Sequence, residues 1–378
     1  MRIVVLDESK SGEPRVAATP ETVKKLAALG GAVTVQAGAG LRSGILDSEF
    51  EAAGATVSKD MKAALAEADV LLAVGRPDKA RIKGIKSGAL ALAVMNPYGA
   101  DAEMKPLADA GLLCFAMELM PRITRAQVMD VLSSQANLAG YRAVVDGAAE
   151  FGRAIPMMMT AAGTVPAAKI FIMGVGVAGL QAIATARRMG GVVTATDVRP
   201  ATKEQVESLG AKFLAVEDEE FKQAQTAGGY AKEMSKEYQA KQAELTASHI
   251  AKQDIVITTA LIPGRPAPRL ITKEMVATMR AGSVIVDLAV ERGGNCELAK
   301  AGETVVTDNG VKIVGWGNLA TRLAPTASSL YARNLFAFLE SMVDKKEKKL
   351  AVNWDDELVK ATLLTRDGGL VHPMFQPK

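Results

Sequence analysis

Ile170-Phe171-Ile172-Met173-Gly174-Val175-Gly176-Val177-Ala178-Gly179-Leu180 decides the fold. An apolar run enters a GxGxxG turn, and residues 180–189 then read as a helix. Strand, tight turn and helix in that order open a doubly wound, nucleotide-binding sheet. Gly174 permits the turn, Gly176 lets the backbone approach a pyrophosphate, and Gly179 permits close packing of helix on strand. The helix N-terminus then offers unpaired N–H groups to phosphate, with Val175 and Val177 beside them. Residues 170–186 are also a long uncharged stretch, bounded by Lys169 and Arg187. Their glycines, Gln181 and marginal length argue against a membrane span.

Working outward, a second strand at 192–195 ends on Thr196-Asp197. Asp197 stands near the spacing of about 20 residues at which such sites place an acid. Its carboxylate can accept hydrogen bonds from both ribose hydroxyls and would repel a 2′-phosphate, which selects NAD(H) over NADP(H). Arg199, two residues on past Val198, pulls the other way, because an arginine accommodates such a phosphate. Strands at 212–214, 255–258, 284–287 and 312–314 complete a six-stranded unit. Ligands of such sheets bind at the carboxyl ends of the strands. The loop holding Ala260 and Leu261 therefore packs against a ribose or adenine, and Asp287 to Gly294 lies in the same region.

The first third alternates strands at 3–6, 33–36, 70–74, 90–94 and 112–116 with helices at 19–29, 61–68 and 102–110. Thr19-Pro20-Glu21 is a helix opening of capping threonine, proline and acid. This alternation implies a second helix-covered parallel sheet. The proline-free stretch 125–153 reads as one helix broken at most once, and a final helix at 328–343 crosses back to the first unit. The expected fold is α/β, with two doubly wound parallel-sheet (Rossmann-like) domains joined by long helices. Domain one covers 1–135 and is completed by 325–378, and domain two covers 136–324. Residues 217–252 are charged and helix-prone around Gly228-Gly229-Tyr230, either a surface helix pair or a mobile flap tipped by Tyr230. The basic run 345–349 reads as a solvated helix end.

Composition narrows the chemistry. The chain has 378 residues, 49% hydrophobic and 23% charged, which suits a soluble protein with a large core. Its net charge of +3, from 45 basic and 42 acidic groups, is too balanced for bulk binding of nucleic acid. Cys114 and Cys296 stand alone, and His249 and His372 are the only histidines. A disulfide scaffold, a zinc site and a Ser-His-Asp triad are all disfavoured.

Several stretches carry a family resemblance. Glu13-Pro14-Arg15-Val16-Ala17 followed by Thr19-Pro20-Glu21 resembles the start shared by the alanine dehydrogenase and proton-translocating transhydrogenase superfamily. The runs from Met117 to Gln127, Ser133 to Arg142, Pro156 to Thr164 and Ala227 to Met234 resemble its transhydrogenase branch, in the form of an NAD(H)-binding domain on a separate alpha-1 subunit. Ala320 replaces the proline usual in that branch.

The resemblance implies roles. Arg122, Asp130 and Ser133 would orient the carboxamide and ribose at the nicotinamide end, and Gln127 would reach toward the second nucleotide; Arg122, Gln127 and Asp130 form the expected catalytic set. Gly229 and Tyr230 would belong to a loop that closes over the nucleotide, with Val198 and Arg199 beside Asp197. Independently, Gln127, Asp130 and Ser133 recur at helical intervals and can share one face. NADP(H) would arrive on the NADP(H)-binding domain of a beta subunit, and membrane-spanning subunits would conduct protons. The chain would pair as a homodimer, sit peripherally on the cytoplasmic face of the inner membrane, and catalyse transfer of the Si-Re (AB) type. Alanine dehydrogenases use a lysine and a histidine where Gly75 and Asn96 stand here, though Glu291 remains at an acid position. Hydride exchange between two nicotinamides needs no such acid or base, only positioning and exclusion of water. The alternatives are an alanine dehydrogenase-like enzyme and a non-catalytic NAD-binding module.

Overall fold

The computed structural model describes residues 1–224, 234–262 and 264–376. The chain divides into two units, Met1–Gln135 with Leu323–Lys378, and Ala136–Arg322. In the first, strands β1 (Arg2–Val5), β2 (Ala32–Gln36), β3 (Thr56–Ser58), β4 (Val70–Gly75), β5 (Leu90–Val94) and β6 (Leu113–Ala116) form one sheet in the order 3-2-1-4-5-6. Every pairing is parallel. Ile3, Val5, Leu72 and Leu92 face one apolar layer, while Val4, Leu71, Ala91 and Cys114 face the other. Burial on both faces explains why these strands read as continuous apolar runs. Helix α1 (Pro20–Ala28) starts where the sequence placed it: Thr19 and Thr22 cap each other's backbone N–H.

Helix α2 (Val131–Phe151) leads into the second unit, preceded by a 3₁₀ segment at Thr124–Met129. The stretch 125–153 is thus broken at Asp130, whose side chain takes the N–H and hydroxyl of Ser133 at 2.9 and 2.5 Å. That local bond competes with helix propagation. Gln127 lies in the 3₁₀ segment, so it does not share a helical face with Ser133.

The second sheet comprises β7 (Lys169–Met173), β8 (Val192–Thr196), β9 (Lys212–Phe213), β10 (Ile255–Thr258), β11 (Val284–Asp287), β12 (Thr304–Val306) and β13 (Lys312–Val314). Its order is 9-8-7-10-11-13-12, with β12 antiparallel to β13 and all other pairs parallel. Six parallel strands were expected, and β12 is the addition. Like β3 in the first sheet, it is a short edge strand with no fully buried residue. Helices α3 (Val177–Arg188) and α4 (Lys236–Ile250) pack on this sheet. Arg322, near the end of this unit, pairs with buried Asp146 at 3.2 Å and lies 4.2 Å over the Trp316 ring. This holds the turn in which Ala320 replaces proline; Ala320 itself is buried.

Helix α5 (Ala324–Glu340) belongs to the first unit, starting earlier than expected at Ala324-Pro325. Tyr331, Leu335, Phe338 and Leu339 enter the core of the first sheet. The β4–β5 register shifts between Leu72 and Gly75, and the Tyr331 hydroxyl donates to the Ala73 and Val74 carbonyls there, at 3.0 and 2.9 Å. Each fully buried large apolar side chain of this kind contributes about 1.5–3 kcal/mol. The basic run 345–349 lies not at a helix end but in the turn between two short strands, with Lys349 opening the second strand, and Asp344 accepts the Lys346 and Glu347 N–H groups there.

Candidate functional site

The glycine turn joins β7 to α3. Gly174 has φ +100°, and a Cβ there would lie 2.6 Å from Thr259 Oγ1. A Cβ at Gly179 would lie 1.9 Å from the Gly174 carbonyl oxygen, so helix and turn are in contact through the missing side chain. Gly176 is different: a Cβ there meets nothing within 4 Å, and its φ of −80° suits any residue. Among the described residues, neither backbone strain nor packing requires glycine at 176, and the space beside it is open. Among the described residues no side chain caps α3, whose N-cap is Gly176, so its first-turn N–H groups are open to an anion. Val177 is exposed at this end, whereas Val175 is buried beneath the turn.

Asp197 follows β8 and reaches back to the turn. Its carboxylate accepts the Val175 N–H at 2.7 Å, the Arg199 N–H at 2.9 Å, and Arg199 Nε and Nη2 at 2.9 Å each. A carboxylate offers about four acceptor positions, so all are in use. Arg199 Nη2 also donates to the Val175 carbonyl at 3.1 Å. The Arg199 side chain thus holds two of the acceptor positions of the Asp197 carboxylate. The pairing with Asp197 holds the guanidinium above its ordinary pKa. Val198 is exposed beside them.

The loops after β10 and β11 sit at the same carboxyl edge. Thr259 donates its hydroxyl to the Gly174 carbonyl at 3.0 Å, and Ala260 and exposed Leu261 follow. Ala260 is bonded through both its N–H and its C=O to the Asn295 side chain, at 3.0 and 2.9 Å. Asp287, fully buried, accepts the N–H groups of Ala289 and Cys296. Gly229 and Tyr230 lie outside the described residues.

In the first unit, Arg122 and Gln127 are exposed and Asp130 and Ser133 are half-buried. Asp130 and Ser133 are brought together directly, as the cap of α2. Two supports of this segment were not foreseen. Asn334 on α5 donates to the Val128 carbonyl and accepts the Ser134 hydroxyl, both at 2.8 Å. Arg125 forks onto Asp356 at 2.7 and 2.9 Å. Only an unusual asparagine within an apolar helix pattern hinted at the first.

The carboxyl edge of the first sheet is closed by its own acids. Glu8 accepts the N–H groups of Val74 and Gly75 at 2.7 and 2.9 Å, and Glu118 accepts those of Met95 and Asn96. Burial raises the pKa of both carboxyls, against the lowering effect of these bonds. A Cβ at Gly75 would stand 3.7 Å from Glu8 Oε1, so a carboxylate lies next to the position where an imine-handling lysine would begin. Glu291, in the second unit, accepts the Asn318 N–H at 3.2 Å.

Comparison with known proteins agrees across the whole chain. Residues 4–139 match the family model described as alanine dehydrogenase/PNT, N-terminal domain, and residues 143–373 match alanine dehydrogenase/PNT, C-terminal domain. An NAD(P) transhydrogenase alpha subunit polypeptide of Rhodospirillum rubrum is 56% identical over 99% of this chain and 98% of its own length. The crystal structure of transhydrogenase from Sinorhizobium meliloti superposes with TM-score 0.89 at 61% identity, covering 98% of this chain and all of that one. An L-alanine dehydrogenase structure superposes with TM-score 0.83 at 25% identity, over 100% and 98% of the two chains. No helix among the described residues is long and apolar enough to cross a membrane. The chain belongs to the alanine dehydrogenase/transhydrogenase family, among the NAD(P) transhydrogenase alpha subunits.

Proposed function

We propose that this chain binds NAD(H) and exchanges hydride with NADP(H) held on the NADP(H)-binding domain of a beta subunit. Membrane-spanning subunits couple that exchange to proton translocation, and the chain docks on them at the cytoplasmic face of the inner membrane. The observation that carries the reading is the turn at Gly174, Gly176 and Gly179 with Asp197 bonded to its Val175 N–H. The residues fit the cofactor: open space at Gly176 and the uncapped start of α3 suit a pyrophosphate, and Asp197 suits an unphosphorylated ribose.

When bound, NAD(H) supplies the hydride chemistry, and the chain supplies position. Val175, Gly176 and Val177 hold the pyrophosphate; Asp197, Val198 and Arg199 hold the adenosine end; Ala260 and Leu261 flank a ribose. Arg122, Asp130 and Ser133 orient the carboxamide, and Gln127 reaches toward the second nucleotide. No lysine or histidine is needed, because no proton moves at the reacting carbon. Transfer is of the Si-Re (AB) type. The chain acts as a homodimer, for which the hairpin of Met158–Thr160 and Gly163–Val165, with Met157, Met158 and Met159 exposed, offers an apolar surface.

The test mixes the purified chain with a transhydrogenase NADP(H)-binding domain, NADPH and an NAD⁺ analogue of shifted absorbance. Reduction of the analogue only in the presence of the partner supports the reading. Oxidation of NADH by the chain alone with pyruvate and ammonia would replace it with an alanine dehydrogenase.

A further inference from the structure

We infer that Asn295 is a positioning residue of the dinucleotide site, acting through the Ala260 loop; the inference rests on the NAD(H) reading above. Asn295 is fully buried and lies in the loop after β11. Its Oδ1 accepts the Ala260 N–H at 3.0 Å, while Nδ2 donates to the Ala260 carbonyl at 2.9 Å and to the Pro268 carbonyl at 2.8 Å. The side-chain amide thus pairs with the Ala260 N–H and C=O as a neighbouring strand would, past the end of β10. The donor and acceptor of a primary amide match this demand, and neither an acid nor an alcohol of similar size does.

The Asn295 backbone is itself anchored. Its carbonyl accepts the N–H groups of Leu270 and Ile271 at 2.8 and 3.0 Å. The next residue, Cys296, donates its N–H to buried Asp287 at 2.8 Å. On the other side, Thr259 ties the same loop to the glycine turn: its hydroxyl donates to Gly174 O at 3.0 Å and its N–H to Met173 O at 2.8 Å. A continuous brace therefore runs from the phosphate turn through Thr259 and Ala260 to Asn295 and the 268–271 segment. Ala260 and Leu261 project from its middle. Without Asn295, the peptide of Ala260 loses both partners at the edge where a ribose must be met, and the loop gives up its register against the turn.

The experiment titrates NADH into the full chain by fluorescence at pH 8 and pH 5, for wild type, Asn295→Asp and Thr259→Val. At pH 8 the aspartate sets lone pairs against the Ala260 and Pro268 carbonyls. The Kd ratio of Asn295→Asp to wild type is expected to be about tenfold or more there. At pH 5 the ratio shrinks, because a protonated carboxyl donates to one carbonyl again, and kcat at saturating NADH with a partner domain stays near wild type. A merely structural role would not produce that pH-dependent ratio with an unchanged kcat. A folded Asn295→Asp whose ratio stays within about twofold at pH 8 overturns the inference. If that variant does not fold, Thr259→Val decides: a several-fold weaker Kd supports the brace, and an unchanged Kd overturns it. A wild-type chain that binds no NADH overturns the NAD(H) reading itself and the brace with it.

Discussion

Replacing Asp197 with serine tests the cofactor preference most directly. In the wild type, the carboxylate must release the Arg199 side chain before it can accept the two ribose hydroxyls. Two bonds to a carboxylate are worth at least about 1.5 kcal/mol each. Releasing a partly exposed ion pair returns about 1 kcal/mol of that. The net is about 2 kcal/mol, or roughly 30-fold in Kd for NADH. The serine variant loses this, and it also removes the charge that repels a 2′-phosphate. Arg199, freed of Asp197, can then pair with that phosphate, for about tenfold tighter NADPH. Loosening of the turn through the lost Val175 N–H acceptor affects both nucleotides alike and cancels in their ratio. Isothermal titration of both nucleotides into both proteins is therefore expected to show the preference for NADH shrinking by about two orders of magnitude. A ratio unchanged within about threefold would refute the assignment of Asp197 to the ribose, whatever happens to either affinity alone.

Gly176→Ala and Gly179→Ala separate ligand approach from packing. The first leaves unfolding stability within about 0.5 kcal/mol of wild type and weakens NADH at least about tenfold. The second destabilises the chain by about 1–3 kcal/mol in denaturant unfolding, because its Cβ overlaps the Gly174 carbonyl. Gln127→Asn slows hydride exchange with the partner domain by about tenfold while the NADH Kd stays within about twofold, since a shortened reach disturbs position rather than binding. His249 carries a pH signature. Burial first, then Lys252, Lys212 and Lys169, holds its pKa below the ordinary 6.5. The unfolded chain therefore takes up the proton first; stability is fully present above pH 6.5 and is lost as pH falls from there toward the folded value. Denaturant unfolding at pH 7.5 and 5.5 is expected to show a smaller loss for His249→Gln than for wild type; an equal loss would remove His249 as a source.

The glycine fingerprint, the acid at 197 and the central strands of both sheets were legible in the sequence because each is written in a local pattern. Gly174 and Gly179 answer to clashes a few ångströms away within one strand–turn–helix unit, and β1, β4, β7 and β10 are apolar runs because both of their faces are covered. Edge strands β3 and β12 were not readable: each is three residues long and partly exposed, so only pairing with a neighbour makes it a strand. The one break allowed in 125–153 could not be placed by periodicity, because a single side-chain cap at Asp130 sets it. The partners of Asn334 and Asn295 cannot be read from the sequence, since they lie 206 and 35 residues away. The spacing of Asp197 gave no sign that the Arg199 side chain takes two of its acceptor positions. Local pattern determined the elements and the turn between them. The tertiary structure alone decided which buried polar groups meet, because a hydrogen bond is settled by distances in space that residue spacing does not specify.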